Sequence, residues 1–535
     1  MKGSFRQSMA WLHTWCGLVC GWLLCGIFLT GSLSVFREPV TRWMEARPLL
    51  AAHEGQPTEA ALAAALRRLE SAAPAARFWR IELPQRPTDA LLLAWRGPRG
   101  NEQLALSPVT GETLAEPWGR ATEGGRHFMS FHYMLQWKAL GYWVVGWVSM
   151  CMLVALVSGV VVHRRIFQDF FTFRPGKGQR SWLDAHNLCA VLALPFLFVI
   201  VYSGLAIFYT SYMPWPLRAA YGPGEAAFPQ YQAELSAHGR AAPRRPRSGE
   251  PAGLHALAPL LRQARQLTGQ PARMVVVEQP GDRNGTIRVV GPRERESRRL
   301  VDPVSSVLFD GVSGAVLQVQ LAEAAGASAS EQAHGVMEAL HLARFGGWGI
   351  QWLYFVSGLL GTAMVASGLV LFMVKRRLKS GREFGRATPL AYRLVEAANV
   401  AAVAGVVVAC IGYLFANRLI PANLPGRATW EISCFFWLWL ATLGHALCRP
   451  PARAWTEQLG LAALLCLSLP LLNLASAGQQ FVVYALAGDW QRAGVEITTV
   501  AAGLLLALAA WRTRPGCLGE AVAARRPAAT TGSGP

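Results

Sequence analysis

Eleven histidines are the residues of this sequence best suited to chemistry, and seven of them stand where long apolar runs begin or end. His13, His163 and His186 fall at one set of run ends, and His127, His132, His334 and His341 at the other. An imidazole near membrane depth is costly unless it pairs or binds something. Two clusters, one per face and each drawn from several helices, suit bis-imidazole ligation of two haems, because each iron takes one ring nitrogen from either side. Flat porphyrins also need small residues where helices part, and Gly17, Gly21, Gly26, Gly31 and Gly204 are available. Two other readings compete. Histidines gather beside Trp and Tyr at headgroup level without binding anything. Zinc is the weaker competitor, because neither HExxH nor a Cys/His spacing accompanies these residues. His53, His238 and His255 fall in loops with no assigned role, and His445 reads as a hydrogen-bonded core residue.

The elements that must position these histidines are membrane spans. The 535 residues are 52% hydrophobic and 16% charged, too apolar for a soluble chain of this size. Runs of 18 or more residues cover the roughly 30 Å hydrocarbon core. They lie near 9–36, 139–162, 187–209, 352–374, 394–416, 431–448, 457–475 and 494–511. The first, behind Lys2 and Arg6, is too long for the core of a cleavable signal peptide, so a retained helix is expected. Most of the ten cysteines lie in these runs and neither large loop holds one, which excludes a disulfide scaffold for those loops. The Cys16/Cys20 pair reads as helix packing.

The net charge of +19 is better explained by topology than by nucleic acid. Arg164, Arg165, Arg174, Lys177 and Arg180 cluster in one short connection against Asp169, and Lys375, Arg376, Arg377, Lys379, Arg382, Arg386 and Arg393 in another against Glu383. Arg449, Arg453, Arg512, Arg514, Arg525 and Arg526 join Lys2 and Arg6 on the same side if the spans alternate. The positive-inside rule then makes both termini cytoplasmic. The loops near 37–131 and 210–333 lie outside, each in the order polar stretch, amphipathic helix and short strands. The first offers a helix at Pro57–Leu69 and strands at Trp79–Leu83, Ala90–Trp95 and Gln103–Ser107. The second offers a helix at Leu254–Leu267 and strands at Met274–Val277, Thr286–Val290 and Val307–Phe309, with 235–252 as an exposed linker. Span, outer domain and span thus occur twice, at 9–162 and 187–374. The expected fold is an all-α polytopic membrane protein of about eight helices, four plus four, carrying two small α+β domains.

The repeat resembles the PepSY-associated transmembrane family of bacterial inner-membrane proteins, which includes haem-containing ferri-siderophore reductases. The resemblance rests on Leu12-His13-Thr14-Trp15-Cys16-Gly17, Phe131-His132, Leu156-Val157-Ser158-Gly159, Leu183-Asp184-Ala185-His186-Asn187 and Ser203-Gly204. It continues through Leu340-His341-Leu342-Ala343-Arg344-Phe345-Gly346-Gly347, Trp352-Leu353-Tyr354-Phe355 and Ser367-Gly368-Leu369, covering about 1–380. It implies two PepSY-like periplasmic domains at 37–131 and 210–340, with the spans at 1–36, 132–209 and 341–380 and an unmatched four-span appendage at 381–535. It further implies two haem b groups relaying electrons across the membrane. His13 and His186 would ligate the cytoplasmic-side iron and His132 and His341 the outer one, with His163, His127 and His334 as substitutes. The implied activity is reduction of a periplasmic ferric siderophore or other ferric chelate, releasing Fe(II). The donor would be a quinol or a separate cytoplasmic reductase, because no GxGxxG follows a strand here. Arg126, Arg344 and Lys138 flank the outer histidines and could attract an anionic chelate, or snorkel to headgroups. A transporter, a non-catalytic membrane anchor or sensor, and haem delivery are the alternatives. The spans lack paired carboxylates for the first, and the second leaves the histidine clusters unexplained.

Overall fold

The computed structural model describes residues 4–53, 55–97, 100–163, 168, 174, 176–224, 226–228, 230–231, 245–292, 300, 304–321, 329–380 and 388–514. Lys2, Arg164, Arg165, Asp169, His238, Arg382, Glu383, Arg386, Arg525 and Arg526 lie outside the described residues. In chain order the helices needed here are α1 (Phe5–Val35), α2 (Arg37–Glu45), α3 (Glu59–Ala72), α4 (Arg126–Met134), α5 (Lys138–Val162), α6 (Gln179–Ile207) and α7 (Leu257–Thr268). They continue as α8 (Ala329–Leu342), α9 (Gly347–Ser380), α10 (Thr388–Val400), α11 (Val406–Leu419), α12 (Arg427–Cys448), α13 (Pro451–Ala477) and α14 (Trp490–Arg512).

Among the described residues, eight helical runs are long and apolar enough to cross a membrane: α1, α5, α6, α9, the joined α10–α11 run, α12, α13 and α14. The protein is therefore a multi-pass membrane protein, its spans helices whose backbone polar groups bond chiefly within each helix. The helices outrun the apolar windows that signal them. α6 begins at Gln179 rather than near 187, so His186 sits two turns inside a helix and not at its mouth. The run expected as one helix at 394–416 is interrupted by a π turn, Ala401–Gly405. The widened turn leaves the Ala401 carbonyl to accept from Trp439 Nε1 at 2.9 Å, the kind of local irregularity that often marks a packing or functional demand.

The chain divides into two compact units. One comprises Met1–Ala46, Arg120–Leu205 and Gln351–Pro535 and holds the spans. The other comprises Arg47–Gly119 and Ala206–Ile350. Its strands are β1 (Phe78–Glu82), β2 (Leu91–Gly97), β3 (Gly100–Leu106), β4 (Met274–Glu278), β5 (Thr286–Val290), β6 (Ser306–Asp310) and β7 (Val316–Gln320). The two small α+β modules read from the separate loops are present, but they share one antiparallel sheet of order β3-β2-β1-β4-β5-β6-β7. The join is β1 on β4, with Arg80 opposite Val276 and Ile81 opposite Val275. Side chains alternate across a strand, so Trp79 and Ile81 share a face with Val275 and Val277, and all four are buried in one core with Leu62, Leu66 and Leu260 from α3 and α7. A one-residue slip at this join would turn that whole set to solvent. Arg262 of α7 pairs with Glu59 of α3 over the same face.

The stretch expected as an exposed linker is tethered where it is described. Arg245 pairs with Asp310 at 2.5 Å. Asp282, 2% exposed, accepts from Ser248 N, Ser248 Oγ, Gly249 N and Asn284 N at 3.0, 2.8, 2.8 and 2.9 Å. Burial by itself would raise this carboxyl, but those donors outweigh it and hold it well below the ordinary carboxylate range. A folded-state value below the unfolded one gives stability that is complete above the ordinary carboxylate pKa and is lost as pH falls through the folded value. Asp282→Asn should therefore weaken amide-exchange protection of β4 and β5 in the full chain at about pH 7, the gap to wild type closing towards about pH 2. A gap that stays constant over that range would contradict the ionised cradle.

Candidate histidine site in the span unit

Three of the expected histidines are held by one geometry. His13 of α1 is bonded through Nδ1 to the Ala155 carbonyl of α5 at 2.8 Å. His132 of α4 is bonded through Nδ1 to Ile27 O of α1 at 2.8 Å, and His186 of α6 through Nδ1 to Met364 O of α9 at 2.8 Å. A carbonyl accepts only, so Nδ1 must carry the proton in each and Nε2 keeps its lone pair. Imidazoles that bind metals are usually oriented in this way, with the second nitrogen donating to a carbonyl or carboxylate. All three rings are half-buried.

His13 and His186 come together, with ring centroids 6.1 Å apart and planes at 73°. Two imidazoles sharing one metal through bonds of about 2 Å, each nitrogen about 1 Å from its ring centre, would put their centroids about 6 Å apart. Among the described residues no group of three or more His, Cys, Asp or Glu converges to hold a metal. Two imidazoles alone leave a bare ion under-ligated, whereas a porphyrin iron needs only an axial pair. Gly17, one turn along α1 from His13, has open space where a side chain would stand. The residues present therefore fit a haem better than zinc.

The substitutes are held differently. His163, just past the end of α5, engages Asn187 Nδ2 through Nε2 at 2.8 Å, so that nitrogen is occupied beside His186. The same end of the unit is tied by Arg6, which donates to Val162 O at 2.8 and 3.1 Å, a cation placed at a helix C-terminus. Arg174 adds a tie on Asp184 at 3.0 Å. His127 accepts at Nδ1 from Gln136 Nε2 at 2.9 Å, while that amide also donates to His127 O at 3.3 Å. The ring proton therefore sits on Nε2, which has no hydrogen-bond partner among the described residues, and the ring packs against Phe435, centroids 4.7 Å apart. Burial pushes the His127 imidazole down to about 3. It also lowers His132, against the opposing effect of the Ile27 bond.

His334 and His341 belong to α8, in the unit that carries the sheet. His334 lies edge-on to Tyr209, centroids 6.2 Å apart. Of the basic residues flanking the outer histidines, Arg344 pairs with Glu338 at 2.6 Å and Arg126 approaches Glu123 at 3.9 Å. His445 is hydrogen-bonded as expected, meeting Glu457 Oε2 at 2.8 Å, but its side chain is 36% exposed rather than buried. Cys16 and Cys20 both lie beside Cys151 of α5, and all the described cysteines are free thiols.

Sequence reasoning missed the buried charges of the C-terminal spans. Arg418, Arg427, Glu431, Arg492 and Glu496 are all buried. Glu431 takes Arg427 at 2.8 Å, Asn417 Nδ2 at 2.7 Å and Thr122 Oγ1 at 2.5 Å. Arg418 donates to Asn473 Oδ1 at 2.7 Å and Trp43 O at 2.6 Å, and lies 3.7 Å over the Trp43 ring. Asn473 passes the chain to Glu496 at 2.6 Å. The signal available was an intramembrane charge in itself, which marks a partner, although each of the five stands near the end of an apolar run.

Eight apolar helices among the described residues, with a separate α+β unit between them in sequence, define a multi-pass membrane protein. The chain belongs to the family of the PepSY-associated TM region, whose model matches residues 10–375. The match ends at the fourth span and leaves α10–α14 outside it. A comparison with curated proteins finds no match.

Proposed function

We propose that the chain is a transmembrane electron carrier that holds two haem b groups and reduces a ferric siderophore, or another ferric chelate, on the periplasmic side of the bacterial inner membrane. The observation that carries this is the His13–His186 pair, 6.1 Å between centroids, each with Nδ1 given to a backbone carbonyl and Nε2 left for a metal. When bound, each haem would supply a reversible one-electron Fe(III)/Fe(II) couple. His13 and His186 would hold the cytoplasmic-side group. His132, oriented in the same way, would hold the outer one, and His341 is its counterpart in the second sequence repeat. The occupied Nε2 of His163 and the protonated Nε2 of His127 favour His13, His186 and His132 over those two substitutes. Arg6, Lys375, Arg376, Arg449, Arg453, Arg512 and Arg514 at one set of span ends support cytoplasmic termini. The electron donor is a membrane quinol or a separate cytoplasmic reductase.

Purified protein reduced with dithionite should show the paired visible bands of low-spin haem, and adding a ferric siderophore should reoxidise it. A featureless reduced spectrum would sink the proposal. Bands that persist in the presence of the siderophore would remove the ferric acceptor while leaving the haems.

A further inference from the structure

The three span carbonyls that receive His13, His132 and His186 share one local build. Each is followed three residues on by Ser or Thr and four residues on by Gly: Ile27 by Thr30-Gly31, Ala155 by Ser158-Gly159, and Met364 by Ser367-Gly368. Each hydroxyl turns back on its own helix in the same way. Thr30 Oγ1 donates to Gly26 O at 2.7 Å and Ile27 O at 3.3 Å. Ser158 Oγ reaches Val154 O at 2.6 Å and Ala155 O at 3.2 Å, and Ser367 Oγ reaches Ala363 O at 2.7 Å and Met364 O at 2.9 Å. The glycine clears the path of the ring. A Cβ at Gly31 would lie 2.6 Å from His132 Nδ1, at Gly159 3.0 Å from His13 Cε1, and at Gly368 3.1 Å from His186 Cε1. A fourth copy stands on α6, where Ser203 Oγ donates to Val199 O at 2.7 Å and Ile200 O at 3.2 Å ahead of Gly204. Glycine inside a helix is unfavourable relative to Ala, and a hydroxyl bonded back one turn tends to bend the helix. Four copies of two locally unfavourable choices mean that something at each site needs them.

We infer that these Ser/Thr-Gly pairs are positioning residues: a built acceptor that admits an imidazole, fixes its proton on Nδ1, and sets how strongly that proton is held. The inference rests on the haem reading above and goes beyond it, because it assigns work to residues that touch no metal. The glycine governs whether the ring reaches its carbonyl. The hydroxyl shares that carbonyl, so it weakens the Nδ1–H···O bond and with it the basicity of the imidazole, the lever by which outer-shell groups tune a metal site. Removing the hydroxyl strengthens the remaining bond, makes the ring a better electron donor, and favours Fe(III).

The test uses the full-length protein in detergent, with Gly159→Val, Gly31→Val, Ser158→Ala and, as a control at a position open to a Cβ, Gly444→Ala. Each Gly→Val variant is expected to lose one low-spin haem or turn it high-spin while retaining the other, and the control to keep both. Ser158→Ala should keep both haems, with one midpoint potential moved negative. In cofactor-free protein the imidazole nitrogen shifts of His13 should report Nδ1–H in wild type and control and a tautomer mixture in Gly159→Val. Both haems unchanged in the glycine variants, or an unchanged tautomer, overturns the inference. If a glycine variant loses both haems, the Ser158→Ala potential decides, and an unshifted value overturns it. Wild-type protein without haem defeats the proposed function instead, and the tautomer measurement still judges the acceptor.

Discussion

Replacing His186 by Ala should remove one of two low-spin haems and leave the other, with ferric reduction falling by more than about 100-fold. Loss of an outer-shell partner alone costs about 10–100-fold at metal sites, and this change deletes the proposed ligand atom itself. The selectivity follows from where the rings are anchored. His186 hangs from Met364 O of α9 and faces His13, whereas His132 hangs from Ile27 O, on another helix and through another bond. Nothing in the His132 anchor depends on His186, so the outer group should survive. His13→Ala should reproduce the same loss, because an iron bound on one side only gives up its low-spin bands. His127→Phe is the discriminating companion. Its ring is buried among Phe128, Tyr413 and Phe435, with the proton on the nitrogen that a metal would need, so this variant should keep both haems. Retention of both in His186→Ala, or loss of one in His127→Phe, would reassign the ligands.

The sequence made the spans and the histidines legible for physical reasons that also explain what it hid. Eight apolar runs need no periodicity to be recognised, because length and lack of charge suffice. β5 lies at Thr286–Val290 as expected, since its alternation is regular and its neighbours on both sides are strands. β7 went unseen because it is an edge strand, with only partly covered side chains and Gln318 and Gln320 in its five residues. The β1–β4 join pairs Trp79 with Val277; no local pattern reports a partner so far along the chain. The proposed ligand histidines stand out in the sequence by their clustering, but what separates them from His127 and His163 does not. That separation lies in which ring nitrogen meets a carbonyl, and this depends on helix packing. The Ser-Gly pairs stood inside the matched segments without a reason until the rings above them were located.

The remaining large effect concerns the spans beyond the family match. Glu431→Ala should lower the stability of the full chain by about 3–5 kcal/mol, the cost of stripping one partner from a buried ion pair. The side chains of Arg427 and Glu431 are 1% and 0% exposed, so water cannot take the place of the lost carboxylate. The change also leaves Asn417 Nδ2 and Thr122 Oγ1 without their acceptor, and each orphaned buried donor adds to the cost. Arg427→Met should hurt comparably, because the guanidinium also holds Ala121 O and Asn417 O, both at 2.7 Å. The double variant Arg427→Met/Glu431→Leu should cost less than the two single changes added together, by about 1–3 kcal/mol, as expected for groups that interact directly. Chemical unfolding in detergent, followed by tryptophan fluorescence, gives all the free energies. Strict additivity would mean that the pair is spectators to its surroundings. Coupling would make it the fastening of α11 and α12 to the segment around Ala121 and Thr122, which leads straight into the helix that carries His132. The appendage would then have a stated role, because a site that depends on a 2.8 Å bond from His132 to Ile27 O requires α4 to be held still on its free side.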